Sequence, residues 1–253
     1  MANNNLNILI TRPQPKSQEL ATVLAPVANL IEICPLLHIQ PLPIDQHQWH
    51  SLSQQPPDIL IFISPAAAQF GVDLLPRHIF NHAKVISVGA ATAKQLSDAG
   101  ISDIETPLVE TSEGLLELTS LHHVAQKRIV IVRGNGGREL LHEQLTDRGA
   151  NVTYTEVYQR QWLTLSEQQT IDKWRKQKIN CIVVTSSQLL EKTLSLIDDL
   201  AFANQCSWIV VSQRCKQRAE QLGLKKVINS QGASHTSILA SITEQLTENT
   251  HDK

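Results

Sequence analysis

Six short apolar runs constrain the fold of this chain more than any other feature: NILI at 7–10, DILIFI at 58–63, KVISV at 84–88, RIVIV at 128–132, NCIVV at 180–184 and SWIVV at 207–211. They are rich in Ile and Val and continuous rather than alternating, as strands are when a parallel sheet is covered on both faces. Each leads through a polar turn into a stretch with helical spacing, such as ATAKQLSDAG or ELLHEQLTDRGA. Gly100, Gly149 and Gly223 stand where helix carboxyl caps belong. Strand, turn and helix repeated in this order specify an α/β chain with parallel sheets. With 42% hydrophobic residues, the 253-residue chain has core material for one large or two small domains.

The pattern also repeats at long range. Arg12 and Arg133, each following a strand, lie 121 residues apart; Asp58 and Asn180, each opening one, lie 122 apart. Gly100 and Gly223 follow at 123 and Glu32 and Glu156 at 124, all in the same order. Two similar α/β halves account for these landmarks, and clefts between such halves are common ligand sites.

Charge and cysteine usage narrow the function. Lys and Arg total 22 against 24 Asp and Glu, a net charge of −2, without the basic excess of a duplex-binding surface. Cys34, Cys181, Cys206 and Cys215 form no Cys-x-x-Cys pair and read as reduced thiols. The start MANNNLNILITRP lacks a basic segment followed by a long apolar one, and the longest apolar run is of strand length. A soluble, cytoplasmic protein is expected. The ten histidines show no ligand spacing; His122 and His123 are adjacent and do not share a helix face, so no metal site is expected.

The candidate site residues lie at strand-to-helix turns. VRGNGGREL at 132–140 looks like a phosphate loop, but Glu139 stands where the third glycine of Gly-x-Gly-x-x-Gly would be, and the Gly-Lys-Ser/Thr ending of a P-loop is missing. What remains is a glycine-rich turn with open amides at Gly134, flanked by Arg133 and Arg138, suited to an anion at a helix start. The other turns offer Ser64, Gly89 with Thr92, Ser112, Thr185 with Ser186, and Ser234. Such residues cap helices, and at the carboxyl ends of parallel strands they also meet ligands. Arg12 is the repeat counterpart of Arg133. No strand ends in a carboxylate, as a phosphorelay receiver would require. In NVTYTEVY, period-two alternation sets Tyr154, Glu156 and Tyr158 on one face.

These stretches resemble the uroporphyrinogen-III synthase family. The likeness covers nearly the whole chain and rests on ITRP at the first strand, ISPAAAQF at 63–70, VGAATAKQLSDAG at 88–100, TSEGLLEL at 111–118, VRGNGGRELLHEQLTDRGA at 132–150, EVYQRQW at 156–162 and VVTSSQLL at 183–190. Pro65 and Ala66 depart from the Thr or Ser plus small residue typical of the family, and VSQRCKQRAEQLG is a loose version of its second helix start.

The resemblance implies two similar three-layer, flavodoxin-like α/β domains with parallel sheets, joined by a two-stranded crossover near 36–43 and 157–165. One domain would combine 1–36 with 163–250 and the other would be 39–160; the tail ENTHDK is polar, and 251–253 are expected to fray. It implies cyclisation of the linear tetrapyrrole hydroxymethylbilane to uroporphyrinogen III in the cleft between the domains. The last pyrrole ring is inverted through a spiro intermediate, without metal or organic cofactor. Left alone the bilane closes to the symmetric isomer, so the catalyst acts by orienting one conformer.

Under this resemblance Tyr158 assists departure of the substrate hydroxyl, since an ordinary phenol is protonated and can donate at neutral pH. Arg12, Ser64, Gly89, Thr92, Ser112, Arg133, Gly134, Arg138, Thr185 and Ser186 hold the acetate and propionate groups. A monomer is implied, with transient hand-over of the bilane from the enzyme that makes it, and neither nucleic acid nor membrane as partner. A different class of function fits the same halves: a non-catalytic two-lobed binder or regulator of a small anionic ligand.

Overall fold

The computed structural model describes residues 6–137 and 139–251, with side chains as far as residue 244. The chain forms two compact units, one of residues up to His38 together with those from Gln161 onward, the other Ile39–Arg160. The first unit opens with β1 (Asn7–Ile10), α1 (Lys16–Leu24) and β2 (Leu30–Ile33). Strand β3 (Leu37–Pro41) then carries the chain into the second unit.

That unit continues through α2 (Gln46–Gln54), β4 (Ile59–Phe62), α3 (Pro65–Leu74), β5 (Lys84–Ser87), α4 (Ala90–Asp98), β6 (Ile104–Glu105), α5 (Ser112–Leu116), β7 (Arg128–Gly134) and α6 (Leu140–Asp147). The long β8 (Asn151–Trp162) leads back into the first unit. There follow α7 (Glu167–Lys176), β9 (Cys181–Val183), α8 (Ser187–Ile197), α9 (Leu200–Gln205), β10 (Ser207–Val210), α10 (Gln213–Gln221), β11 (Val227–Asn229) and α11 (His235–His251). The tail expected to fray at 251–253 is helical at His251, and 252–253 lie outside the described residues.

The first unit holds a five-stranded parallel sheet in the order β11-β10-β9-β1-β2, the doubly wound order in which β1 lies inside the sheet between β2 and β9. The second holds a six-stranded sheet, β3-β8-β7-β4-β5-β6, parallel from β8 to β6. Strands β3 and β8 run in opposite directions, since Leu163 N donates to Leu36 O while Leu42 N donates to Val157 O.

The continuous apolar runs are explained by two-sided burial. Along β4, Ile59 and Ile61 enter one core layer with Ile129 and Ile131 of β7, and Leu60 and Phe62 enter the opposite one with Val130 and Val132. Along β1, Leu9 joins Trp174 and Trp208 on one side while Ile8 and Ile10 join Leu20 and Leu24 on the other. Helices α3, α8 and α10 begin at side-chain caps: Ser64, Ser186 and Ser212 each accept from the amide three residues on. Helices α4, α6 and α10 stop at Gly100, Gly149 and Gly223, whose φ values of 81°, 83° and 87° suit residues without a Cβ.

Candidate functional site

At the carboxyl edge of the six-stranded sheet, β7 and β8 pair in step until Arg133 meets Glu156; Gly134 then meets Tyr158, leaving Val157 as an extra residue. This bulge breaks the expected alternation. Val152 and Tyr154 face the layer of Ile129 and Ile131, whereas Val157 and Tyr158 both enter the layer of Phe62 and Val132. Tyr154 and Tyr158 therefore do not share a face, because a bulge re-aims the side chains that follow it.

Tyr158 is 3% exposed and packs against the backbone of Gly134, where a Cβ would stand 2.4 Å from two of its ring carbons. The Tyr158 hydroxyl lies 3.2 Å from Ser64 Oγ and receives a hydrogen bond of 3.4 Å from Arg160 Nη2. Ser64 is also the cap of α3, its Oγ accepting from Ala67 N at 3.0 Å.

The glycine turn beside it is internally paired. The Arg133 guanidinium, 3% exposed, lies 4.0 Å from the Tyr154 ring centroid and donates to Glu139 Oε1 at 3.2 Å, with Glu156 Oε1 at 3.8 Å. Two carboxylates thus answer a buried cation that would otherwise be costly. Tyr154 donates to Glu139 Oε2 at 2.7 Å; burial first, and then this carboxylate, push the Tyr154 phenol up to about 12. Glu139 is held below its ordinary value by the Tyr154 bond first and Arg133 after it. Gly136 N donates to Glu156 Oε1, and Asn135 receives Arg160 N at 2.9 Å while giving its own N–H to Tyr158 O.

At the neighbouring turn Gly89 precedes α4, and Ala90 N donates to Glu110 Oε1 at 2.8 Å. A Cβ on Gly89 would stand 2.4 Å from that carboxylate, so glycine is what admits it. Thr92 is 1% exposed within α4. Ser112 opens α5, whose cap is Thr111, and lines a cavity of about 200 Å³ with Ile63, Val88, Ile131, Leu141 and Tyr154.

In the first unit Arg12 is nearly buried and donates to Ala233 O at 3.4 Å; burial holds it below its ordinary value, with Glu19 pulling the other way. His235 is pushed down by burial and then by Arg12. Thr185 and Ser186 follow the last buried residue after β9, Ser186 capping α8 through Leu189 N at 3.1 Å. Ser234 accepts from Ser237 N at 3.1 Å and so turns the chain into α11.

A sequence model described as uroporphyrinogen-III synthase HemD matches residues 29–240. The uroporphyrinogen-III synthase of Escherichia coli is 31% identical over 247 residues, spanning 94% of this chain and 100% of its own. The chain belongs to the uroporphyrinogen-III synthase family. The Salmonella typhimurium synthase is 32% identical over 247 residues, again 94% of this chain and 100% of its own. A crystal structure of a mutant uroporphyrinogen III synthase from Thermus thermophilus shares the fold, with a TM-score of 0.65 at 14% identity, covering 96% of this chain and 99% of that one.

For a synthase of this family the structure gathers part of what the sequence suggested. Tyr158, Ser64 and Gly134 meet at one point. Arg133 is turned inward to Glu139 and Glu156, and Arg138 lies outside the described residues. Two residues not singled out in the sequence stand at the turns: Arg160 on the Tyr158 hydroxyl, and Glu110 on the first amide of α4. Arg160 had a faint signal, two residues after the tyrosine and thus on its side of a strand. Glu110 had none, because its contact depends on the path of the loop before α5. Among the described residues no group of three His, Cys, Asp or Glu is placed to hold a metal, and no helix is long and apolar enough to cross a membrane.

Proposed function

We propose that the chain converts hydroxymethylbilane to uroporphyrinogen III, closing the ring with inversion of the last pyrrole. The observation that carries this reading is the match to curated synthases over 94% of the chain at about the same length. The geometry agrees with it. Loss of the terminal hydroxyl needs a proton donor, and Tyr158 provides a hydroxyl held by neighbouring polar groups. The azafulvenium so formed is attacked by a substituted carbon of the last ring; the spiro intermediate fragments and recloses. The pyrroles supply the nucleophile, leaving the protein to orient the chain.

The many substrate carboxylates are proposed to engage turns of both units: Gly89, Ser112 and Gly134 in one, Arg12, Thr185 and Ser186 in the other. Ser186 has an exposed portion while serving its helix, as a residue with both roles requires. Arg133 is proposed to act from within, fixing the glycine turn through Glu139 and Glu156, and Thr92 by packing under α4. Arg138 is kept as a candidate on sequence grounds alone. In α4, a substrate carboxylate would have to share or displace the position of Glu110.

The two units are further proposed to be copies joined by a crossover, with limits near 36–39 and 160–163. Two observations support this: β2-β1-β9-β10-β11 runs in the same spatial order as β8-β7-β4-β5-β6, and Asn180 Oδ1 accepts from Asn7 N just as Asp58 Oδ2 accepts from Arg128 N. Monomeric action in the cytoplasm, with the bilane handed over by its producer, belongs to the same proposal.

The test is to supply hydroxymethylbilane to the purified protein and separate the porphyrinogen isomers. Type III product is expected, against the symmetric isomer in protein-free controls. Saturable bilane binding with only the symmetric isomer would instead favour a non-catalytic binder.

A further inference from the structure

We propose that Arg160 and Ser64 are positioning residues that act through Tyr158, donating two hydrogen bonds to its oxygen so that the phenol proton is free for the departing hydroxyl. The proposal rests on the cyclisation reading above and assigns roles that reading does not contain. A guanidinium has donors only, so in the 3.4 Å contact Tyr158 is the acceptor. Ser64 Oγ already accepts from Ala67 N at 3.0 Å, and its own proton has Tyr158 Oη within reach at 3.2 Å. With both neighbours donating, the remaining function of the phenol oxygen is to donate outward.

The surroundings hold this arrangement in place. The bulge at Val157 turns Tyr158 to the side of the sheet that carries Ser64 and α3. The ring rests on Gly134 beneath and has the Phe70 ring at 6.1 Å. Arg160 is fixed through its backbone N–H on Asn135 Oδ1 at 2.9 Å, and its guanidinium lies 5.9 Å from the Tyr158 ring centroid. Ser64 is the cap of the ten-residue α3, so the positive end of that helix also faces the phenol oxygen.

In the reaction the carbon–oxygen bond of the hydroxymethyl group breaks, and the oxygen leaves with the bonding pair and the phenol proton as water. The pyrrole nitrogen delocalises the positive charge of the azafulvenium, and Tyr158 stays as phenolate. When the new macrocycle loses a proton to regain aromaticity, that proton returns to the phenolate and the cycle closes. Between the two transfers the negative charge sits on the atom to which Arg160 and Ser64 donate, and donors already in place need no reorganisation.

The experiment is a double-mutant cycle on kcat and KM with hydroxymethylbilane: Arg160→Ala, Arg160→Lys and Ser64→Ala, each with Tyr158 intact and with Tyr158→Phe. With Tyr158 intact, Arg160→Ala and Ser64→Ala each lower kcat about tenfold, less than the loss of an enclosed oxyanion donor because Arg160 is exposed, and leave KM within about twofold. Arg160→Lys recovers part of the loss, since an ammonium still donates. With Tyr158→Phe in place none of the three lowers kcat further. Ser64→Ala also removes a helix cap, so its folding is followed by thermal melts; Arg160 caps nothing, and its arm decides if the Ser64 variant unfolds. Undiminished losses in the Tyr158→Phe background, or losses confined to KM, overturn the proposal while leaving the cyclisation reading intact. A wild-type protein giving only the symmetric isomer overturns both.

Discussion

Gly134 shows how closely one residue controls the site. Its missing side chain is the space in which the Tyr158 ring lies, and Gly134→Ala would place a methyl carbon 2.4 Å from that ring. Overpacking of this kind costs about 1–3 kcal/mol. Both a lower melting temperature and a loss of turnover are expected, because the ring must leave Ser64 and Arg160 to make room. Tyr158→Phe separates the two effects: the ring stays, the melt is nearly unchanged, and kcat falls about 10²-fold, the lower end for a general acid. If Gly134→Ala kept full turnover, the placement of the ring would not matter for the chemistry. At this scale the sequence was partly legible. Residue types that end strands and begin helices marked Ser64, Ser186 and Gly134, but nothing in the letters gives the direction of a side chain. Arg133 looked like a free anion anchor because its partners, Glu139 and Glu156, are in different elements and meet it only after folding. Arg160 is hard to recognise from sequence because the bond it makes requires a phenol rotated by a bulge.

Elements were more legible than residues. All six continuous apolar runs are strands, since burial on both faces leaves a direct mark on composition. Of the five strands outside these runs, β2, β6 and β11 are each at the edge of a sheet and only two to four residues long, with largely intermediate burial. The β8 bulge was hidden because alternation assumes an unbroken ladder. One side chain fastens the start of the central pair β4–β7. Asp58 accepts from Arg128 N at 2.8 Å and from Lys127 Nζ at 3.3 Å, and these groups, the amide first, hold its carboxyl below the ordinary range. A depressed folded pKa means stability that is full above the unfolded value of about 3.9 and is lost as pH falls through the lower folded value. Asp58→Ala is therefore expected to cost about 1 kcal/mol at pH 7, discounted for exposure, and the gap from wild type should narrow at pH 3. Asp58→Asn should lose less, because Asn180 makes the same bond to Asn7 N in the other unit without a charge. Urea unfolding at both pH values is the measurement, and an unchanged gap would remove the carboxylate from the explanation.

Across the whole molecule the two units differ in how they depend on chain continuity. The unit Ile39–Arg160 draws almost all of its six-stranded sheet from one continuous stretch. The other takes β1 and β2 from the start of the chain, and β1 lies inside the sheet between β2 and β9. A fragment beginning at residue 39 would lose Ile8, Leu9 and Ile10, all fully buried, together with Leu20 and Leu24 of the covering helix. At about 1.5–3 kcal/mol for each large apolar side chain, these five alone match the ~5–15 kcal/mol that keeps a domain folded. The backbone of β9 would also be left with an open edge in place of its bonds to β1. Residues 39–253 should consequently show one cooperative transition, that of the intact unit, attached to an unfolded remainder. Residues 39–160 alone should show the same transition with higher helix and sheet content per residue. Neither is expected to make type III porphyrinogen, because the turns around Arg12 and Ser186 are missing or disordered in both. Circular dichroism melts of the two fragments and isomer separation after incubation with bilane provide the readouts. A second cooperative transition in 39–253 would mean that residues 161 onward fold without β1, and the interleaved architecture would then be dispensable for stability. Type III product from 39–160 would move the entire reaction to the unit that holds Tyr158, and the proposed anchors at Arg12, Thr185 and Ser186 would have no part in it.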